Sequence, residues 1–176
     1  MNKIDKSISF IPVNIALITI SDTRSLIDDK SGDLLNERIS KFGHKIIERI
    51  IIKDDASLIK KSITNFAKNK IIDVIITTGG TGLTGRDSTT EVVELISDKI
   101  ILGFGELFRQ ISYNKIGTST IQSRAIGAII KGKYIFCLPG STSACKDGWD
   151  EILKYQLDVR HKPCNFIEIM PRLNEK

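Results

Sequence analysis

An α/β domain is the fold this sequence predicts: a three-layer sandwich whose mostly parallel sheet is flanked by helices. Short β-branched runs bounded by polar residues recur along the chain, apolar stripes at helical spacing separate them, and the two alternate from the amino end. Such alternation implies right-handed crossovers and a parallel sheet covered on both faces. Residues 13–20 read as a first buried strand, 45–52 as a second and 71–77 as a third. Between the first two, Leu35, Ile39 and Phe42 form a stripe, with Ser31 placed to cap the helix and Gly43 to stop it. Ile59, Ile63, Phe66 and Ala67 form the next stripe, and either Asp54 or Asp55 is available as its N-cap. The second half is less regular. Helices are expected over 89–96 and 105–114, followed by apolar runs 125–130 and 133–138 joined by a hairpin at Lys131-Gly132. A last helix after Pro139-Gly140 carries Trp149, Ile152, Leu153 and Leu157 on one face. No repeat or linker interrupts this pattern, so residues 13–176 read as one domain and 1–12 as an N-terminal extension.

The composition is that of a globular chain. It has 176 residues, 41% of them hydrophobic and 27% charged, enough to build a core without staples. Cys137, Cys145 and Cys164 form no CxxC pair, and neither His44 nor His161 lies at zinc-ligand spacing from them. All three cysteines therefore read as structural, in a reducing compartment. The net charge of +5 is spread among alternating lysines and aspartates, and aromatics do not interleave with basic residues. A solvated surface explains that charge, and no specific nucleic acid is expected. Residues 1–12 lack the apolar stretch of a signal peptide, and no run reaches membrane-spanning length. A cytoplasmic protein with no membrane partner is the expectation.

The segment from Thr77 to Thr89 (TTGGTGLTGRDST) concentrates the chemistry, with Gly79, Gly80, Gly82 and Gly85 in seven positions between a strand and a helix. Glycines let the backbone approach an anion closely, and their N–H groups can cradle a phosphate. A plain chain reversal would need only one or two glycines. Gly80-x-Gly82-x-x-Gly85 matches the dinucleotide fingerprint, but it follows the third strand and lacks the acidic residue that holds the ribose. Gly80 and Gly85 have Walker A spacing, but Arg86 and Asp87 stand where the lysine and hydroxyl should be.

The whole string resembles the molybdopterin-binding loop of the MoaB/MogA family of molybdenum cofactor biosynthesis, which includes the homologous domains of gephyrin and of plant cofactor-insertion proteins. Further segments fall where that family has them: Ile20-Ser21-Asp22-Thr23, Lys53-Asp54-Asp55, Gly103-Phe104-Gly105-Glu106-Leu107-Phe108-Arg109, Ser123-Arg124-Ala125 and Leu138-Pro139-Gly140-Ser141. The likeness runs over about 14–173 and is nearest the MoaB branch, on the Ser21-Asp22-Thr23-Arg24 start and the Pro163-Cys164-Asn165 end. Thr90 and Lys53 replace prolines common in relatives, and neither change removes an acid or a loop glycine.

The resemblance implies a MogA-like molybdopterin-binding fold and adenylylation of molybdopterin by ATP before molybdate insertion, with Mg2+ as cofactor. Two anionic phosphates must meet in such a reaction, so a divalent cation held by hard oxygen ligands is apt. Asp54 and Asp87 match family aspartates with catalytic roles and would flank the metal. The residues alone also allow Asp54 to cap a helix, and Asp87 to cap the next one or pair with Arg86. Thr78, Gly79, Gly80, Thr81 and Gly82 form the candidate phosphate cradle. Ser21, Asp22, Ser112, Ser123 and Ser141 align with the family's pocket, and Arg124 is placed to neutralise substrate phosphate. A non-catalytic molybdopterin carrier is the alternative function. The resemblance also implies a homotrimer, or a hexamer of two trimers.

Overall fold

The computed structural model describes residues 3–175. Its elements are β1 (Lys3–Ile4), β2 (Asn14–Ile20), α1 (Lys30–Phe42), β3 (Lys45–Ile52), α2 (Ala56–Lys68), β4 (Val74–Thr78), α3 (Thr89–Ile96), β5 (Lys99–Ile101) and α4 (Leu102–Ile116). A 3-10 turn (Gly117–Gln122) leads to β6 (Ile126–Ile130) and β7 (Lys133–Leu138), and then α5 (Thr142–Asp147), α6 (Lys154–Gln156), β8 (His161–Lys162) and α7 (Phe166–Ile169) complete the chain. A six-stranded sheet has the order β3-β2-β4-β7-β6-β5. β3, β2, β4 and β7 are parallel, whereas β6 runs against both β7 and β5.

Strand residues alternate between two apolar layers, as the period of a pleated sheet requires. Ile15, Leu17, Val74, Ile76, Tyr134, Phe136 and Leu138 face one layer, which α1, α4 and the α5–α6 segment complete with Leu35, Ile39, Phe104, Phe108 and Trp149. Ala16, Ile18, Ile20, Ile75, Ile135 and Cys137 face the other, closed by Ile59, Ile63 and Phe66 of α2 and by Val92 and Val93 of α3. The three-layer sandwich with a mostly parallel sheet is therefore the observed architecture.

Several local expectations are corrected. Helix α1 is capped by Asp29, which accepts from Gly32 N–H at 3.0 Å, while the hydroxyl of Ser31 is turned inward to donate to Gly140 O at 2.8 Å. A carboxylate accepts more bonds than a hydroxyl, and Asp29 uses that capacity on Thr19 and Arg49 as well. The third core strand starts at Val74 and ends at Thr78, shifted from 71–77. Helix α4 starts at Leu102, not at 105, directly after the short strand β5. The final helix is interrupted by a wide π turn, Gly148–Leu153, that keeps Trp149, Ile152 and Leu153 buried.

The segment read as an extension is docked, apart from Met1 and Asn2, which lie outside the described residues. β1 pairs antiparallel with β8, and the Phe10 ring packs against Phe42 and His44 at centroid distances of 5.7 and 5.1 Å.

Register at the carboxyl edge positions the site. Thr19 pairs with Thr78 and Thr78 with Leu138, while Ile20 pairs with Ile52. The residues that leave these strands, Ser21, Lys53, Gly79 and Pro139, thus emerge side by side. Gly79 has φ +102°, and a Cβ there would strike the Ile20 carbonyl oxygen. Only glycine fits where the chain turns so tightly over its neighbour.

Candidate functional site

A cleft of about 570 Å³ lies over this edge. Its lining includes Ser21, Asp22, Asp54, Gly79, Gly80, Thr81, Gly82, Asp87, Ser112, Ser123 and Ser141, all singled out from sequence. They come from the ends of β2, β3, β4 and β7, from α4 and from the turn before β6.

The two aspartates that sequence left ambiguous have distinct placements. Asp55 is the cap of α2, accepting from Leu58 N–H at 2.9 Å. That leaves the Asp54 carboxylate free for the cleft, where it accepts from Ser88 Oγ at 3.4 Å. Burial, together with the charges of Asp87 and Asp22, pushes the Asp54 carboxyl above its ordinary range. Asp87 caps no helix: α3 begins after Ser88, and Asp87 Oδ2 accepts from Thr84 N–H at 3.0 Å and Thr84 Oγ1 at 2.5 Å. The Thr84 hydroxyl leads the contacts that hold the Asp87 carboxyl below its usual range. Arg86 pairs with Asp22 at 2.8 Å, not with Asp87.

The glycines make room for these acids. A Cβ on Gly80 would sit 3.0 Å from Asp54 Oδ2, and one on Gly82 would sit 2.8 Å from Asp87 Oδ2. The loop is tied back to α3, because Thr89 N–H donates to Gly80 O at 3.0 Å and Thr89 Oγ1 to Gly79 O at 3.2 Å. Among the described residues, no three acidic, histidine or cysteine side chains form a ready-made metal cage. Asp54 and Asp87 offer the partial hard-oxygen set typical of Mg2+, which takes one or two carboxylates and completes its shell with phosphates and waters. The donor set fits that ion.

The serines have local tasks besides lining the cleft. Ser21 Oγ accepts from Arg24 N–H at 3.2 Å, and Ser141 Oγ caps α5 by accepting from Ala144 N–H at 3.2 Å. Two predicted residues do not line this cleft. Thr78 is fully buried and donates to Pro139 O at 3.0 Å, so its hydroxyl shapes the Pro139 turn from below. Arg124 lies behind the glycine loop and is engaged by backbone carbonyls and Glu91.

Sequence reasoning missed Arg24, which lines the cleft and whose guanidinium donates to Gly140 O at 2.9 Å. A cation closing the Ser21-Asp22-Thr23-Arg24 run was the available signal. It also missed Asp29, fully buried beneath Arg24, because its partners Thr19 and Arg49 are distant in sequence. Cys137 and Cys145 are buried, and burial pushes their thiols up to about 12 and about 11, which keeps them protonated. Cys164 is exposed.

Fold and cleft together define a class of protein, an α/β domain with a glycine-lined cleft at the carboxyl edge of a sheet covered on both faces. Residues 16–159 match the family described as "Probable molybdopterin binding domain", and the chain belongs to that family. It is 40% identical over 160 residues to molybdenum cofactor biosynthesis protein B of Escherichia coli K12, covering 91% of this chain and 94% of that one. A crystal structure of a molybdenum cofactor biosynthesis protein B superposes with a TM-score of 0.84 at 39% identity, covering 94% and 98% of the two chains. The structure of the tungsten cofactor synthesizing protein MoaB of Pyrococcus furiosus does so with 0.78 at 34%, covering 93% and 98%. The family read from the loop and its companion motifs is the one these comparisons find. No helix among the described residues is long and apolar enough to cross a membrane.

Proposed function

We propose that this chain acts in molybdenum cofactor biosynthesis by adenylylating molybdopterin with ATP and Mg2+. The observation that carries the reading is the placement of Asp54 and Asp87 against Gly80 and Gly82 in one cleft. In the reaction a phosphate oxygen of molybdopterin bonds to the α-phosphorus of ATP, and the bond from that phosphorus to the β-phosphate oxygen breaks to release pyrophosphate. The Gly80–Gly82 backbone and the hydroxyls of Ser21, Ser123 and Ser141 supply donors to phosphate, and Arg24 supplies the cleft's cation. Asp54 and Asp87 are the residues that would hold magnesium, whose charge would offset the repulsion between the two phosphates. The raised carboxyl of Asp54 supports this, since crowded acids gain most from a cation.

A cytoplasmic setting fits three unpaired cysteines. A homotrimer or hexamer is supported by the large apolar side chains exposed around α4, with Leu102 at 70% and Ile121 at 81%.

The test incubates purified protein with freshly released molybdopterin, ATP and Mg2+ and scores adenylylated pterin by chromatography. Wild type is expected to form product, and Asp54→Asn and Asp87→Asn to lose it by about 100-fold or more while still binding pterin. Pterin binding without product in wild type overturns the enzyme and leaves a carrier. Light scattering on the same preparation tests assembly, and a monomer overturns it.

A further inference from the structure

Arg124 was expected at a substrate phosphate, and its surroundings give it a different task. The loop from Gly79 to Asp87 has an open outer side: Leu83 is exposed, and a Cβ on Gly85 would meet nothing within 4 Å. Its inner side meets one guanidinium. Arg124 Nε donates to Thr81 O at 3.4 Å, Nη2 to Asp87 O at 2.9 Å, and Nη1 to the Glu91 carboxylate in the first turn of α3. The backbone of Arg124 is fixed as well, because its carbonyl accepts from Thr90 Oγ1 at 3.2 Å. One planar fork therefore ties both ends of the Thr81–Asp87 stretch to α3. Its charge is met by Glu91 and two carbonyl dipoles, and the side chain does not line the main cleft.

We infer that Arg124 is a positioning residue, a brace that fixes the glycine loop so that Asp87 stays beside Gly82. It makes no contact with the substrate phosphate itself. This rests on the adenylyl-transfer reading above, which gives the loop its catalytic role. Lysine cannot replace the brace, since one ammonium on a flexible stem does not span three acceptors held in a fixed fork.

Two kinds of measurement test it. In steady-state adenylylation, Arg124→Ala is expected to lower kcat by about 100-fold with KM for Mg·ATP little changed, the size of loss a displaced reacting group produces. Arg124→Lys should resemble Arg124→Ala, and Glu91→Gln should lower kcat in the same direction. A phosphate-binding arginine predicts the reverse: lysine restores much of the activity, and Glu91→Gln frees the guanidinium and lowers KM. Either of these results overturns the brace. In parallel, amide hydrogen exchange in Arg124→Ala should be about 10-fold faster over residues 79–87, with β2 and β4 unchanged. Unchanged loop exchange also overturns it. Because exchange needs no turnover, the brace is judged even if wild type forms no adenylylated pterin.

Discussion

The lining around Asp54 and the lining around Arg24 belong to one cleft, yet they are held in opposite ways. Arg24 rests on Gly140 O and on Asp29, 3.7 Å away, and Asp29 is completely buried. Asp29 in turn accepts from Thr19 Oγ1 at 2.6 Å, Gly32 N–H at 3.0 Å and Arg49 Nη2 at 2.8 Å. Burial alone would raise its carboxyl, but these partners hold it below the ordinary value. Around Asp54 the protein does the reverse, setting Asp22 and Asp87 where their charges disfavour ionisation. Charges compensated inside the fold build scaffold. Arg24 is thus braced from inside the fold at the cleft wall, whereas the Asp54 carboxyl is crowded by acids with no cation beside it among the described residues.

The largest expected effect breaks the scaffold side. Asp29→Ala takes the acceptor from Thr19 Oγ1 and Gly32 N–H, leaves Arg49 only Asp33 as an acidic partner and frees Arg24, which should cost about 3 kcal/mol in chemical denaturation. A loss under about 1 kcal/mol, the scale of a surface ion pair, would erase the distinction between the two linings.

Acid sharpens the comparison, once a group at the far edge of the sheet is separated out. His44 Nδ1 accepts from Val13 N–H at 3.1 Å beneath Phe10, Phe42 and Trp149, and burial pushes its pKa down to about 4, with Asp158 partly opposing. The unfolded chain takes up that proton near pH 6.5 and the native state does not, so stability falls as pH drops from about 6.5 to about 4, by at most ~3 kcal/mol. Asp29 adds loss in the same direction, since its lowered carboxyl contributes stability that disappears as pH falls through its folded value. Urea melts of wild type and His44→Phe between pH 4 and 7 separate the two. A slope unchanged by the substitution would contradict the buried neutral imidazole.

The smallest effect lies on the site side and has the opposite sign. The raised Asp54 carboxyl contributes stability that is present below its unfolded pKa and lost as pH rises through its folded one. Asp54→Asn should therefore stabilise the free protein at pH 7 by roughly 0.5 kcal/mol, discounted for partial exposure, while adenylylation is lost. Thermal melts check it, and a destabilised variant would place Asp54 among the scaffold residues.

What was legible in the sequence follows from contiguity. Strands of β-branched residues, the glycine loop and the acids just past the strand ends are local patterns, and register then aligns their ends. Choosing between Asp54 and Asp55 was beyond such patterns, because adjacent side chains diverge and only the start of α2 decides which one caps. The Ser31 expectation failed because the buried hub at Asp29 draws on Thr19 and Arg49 from two strands. Ser123 and Arg124 show the same limit: neighbours in sequence, one lines the cleft and the other lies behind the loop. The docking of Phe10 was hidden in a polar segment whose one useful ring finds its partners only in three dimensions.

The cleft draws its lining from Ser21, Asp54, Gly80, Ser112, Ser123 and Ser141, spread over most of the chain. No fragment cut from this protein would keep a working half-site, since each strand end contributes only a few atoms and depends on its neighbours for register. Occupancy therefore acts as a checksum on the entire fold. A ligand at a hundred times its Kd would add about 2.7 kcal/mol against global unfolding, and a cell short of that ligand would hold the same chain in a form more readily lost to proteases.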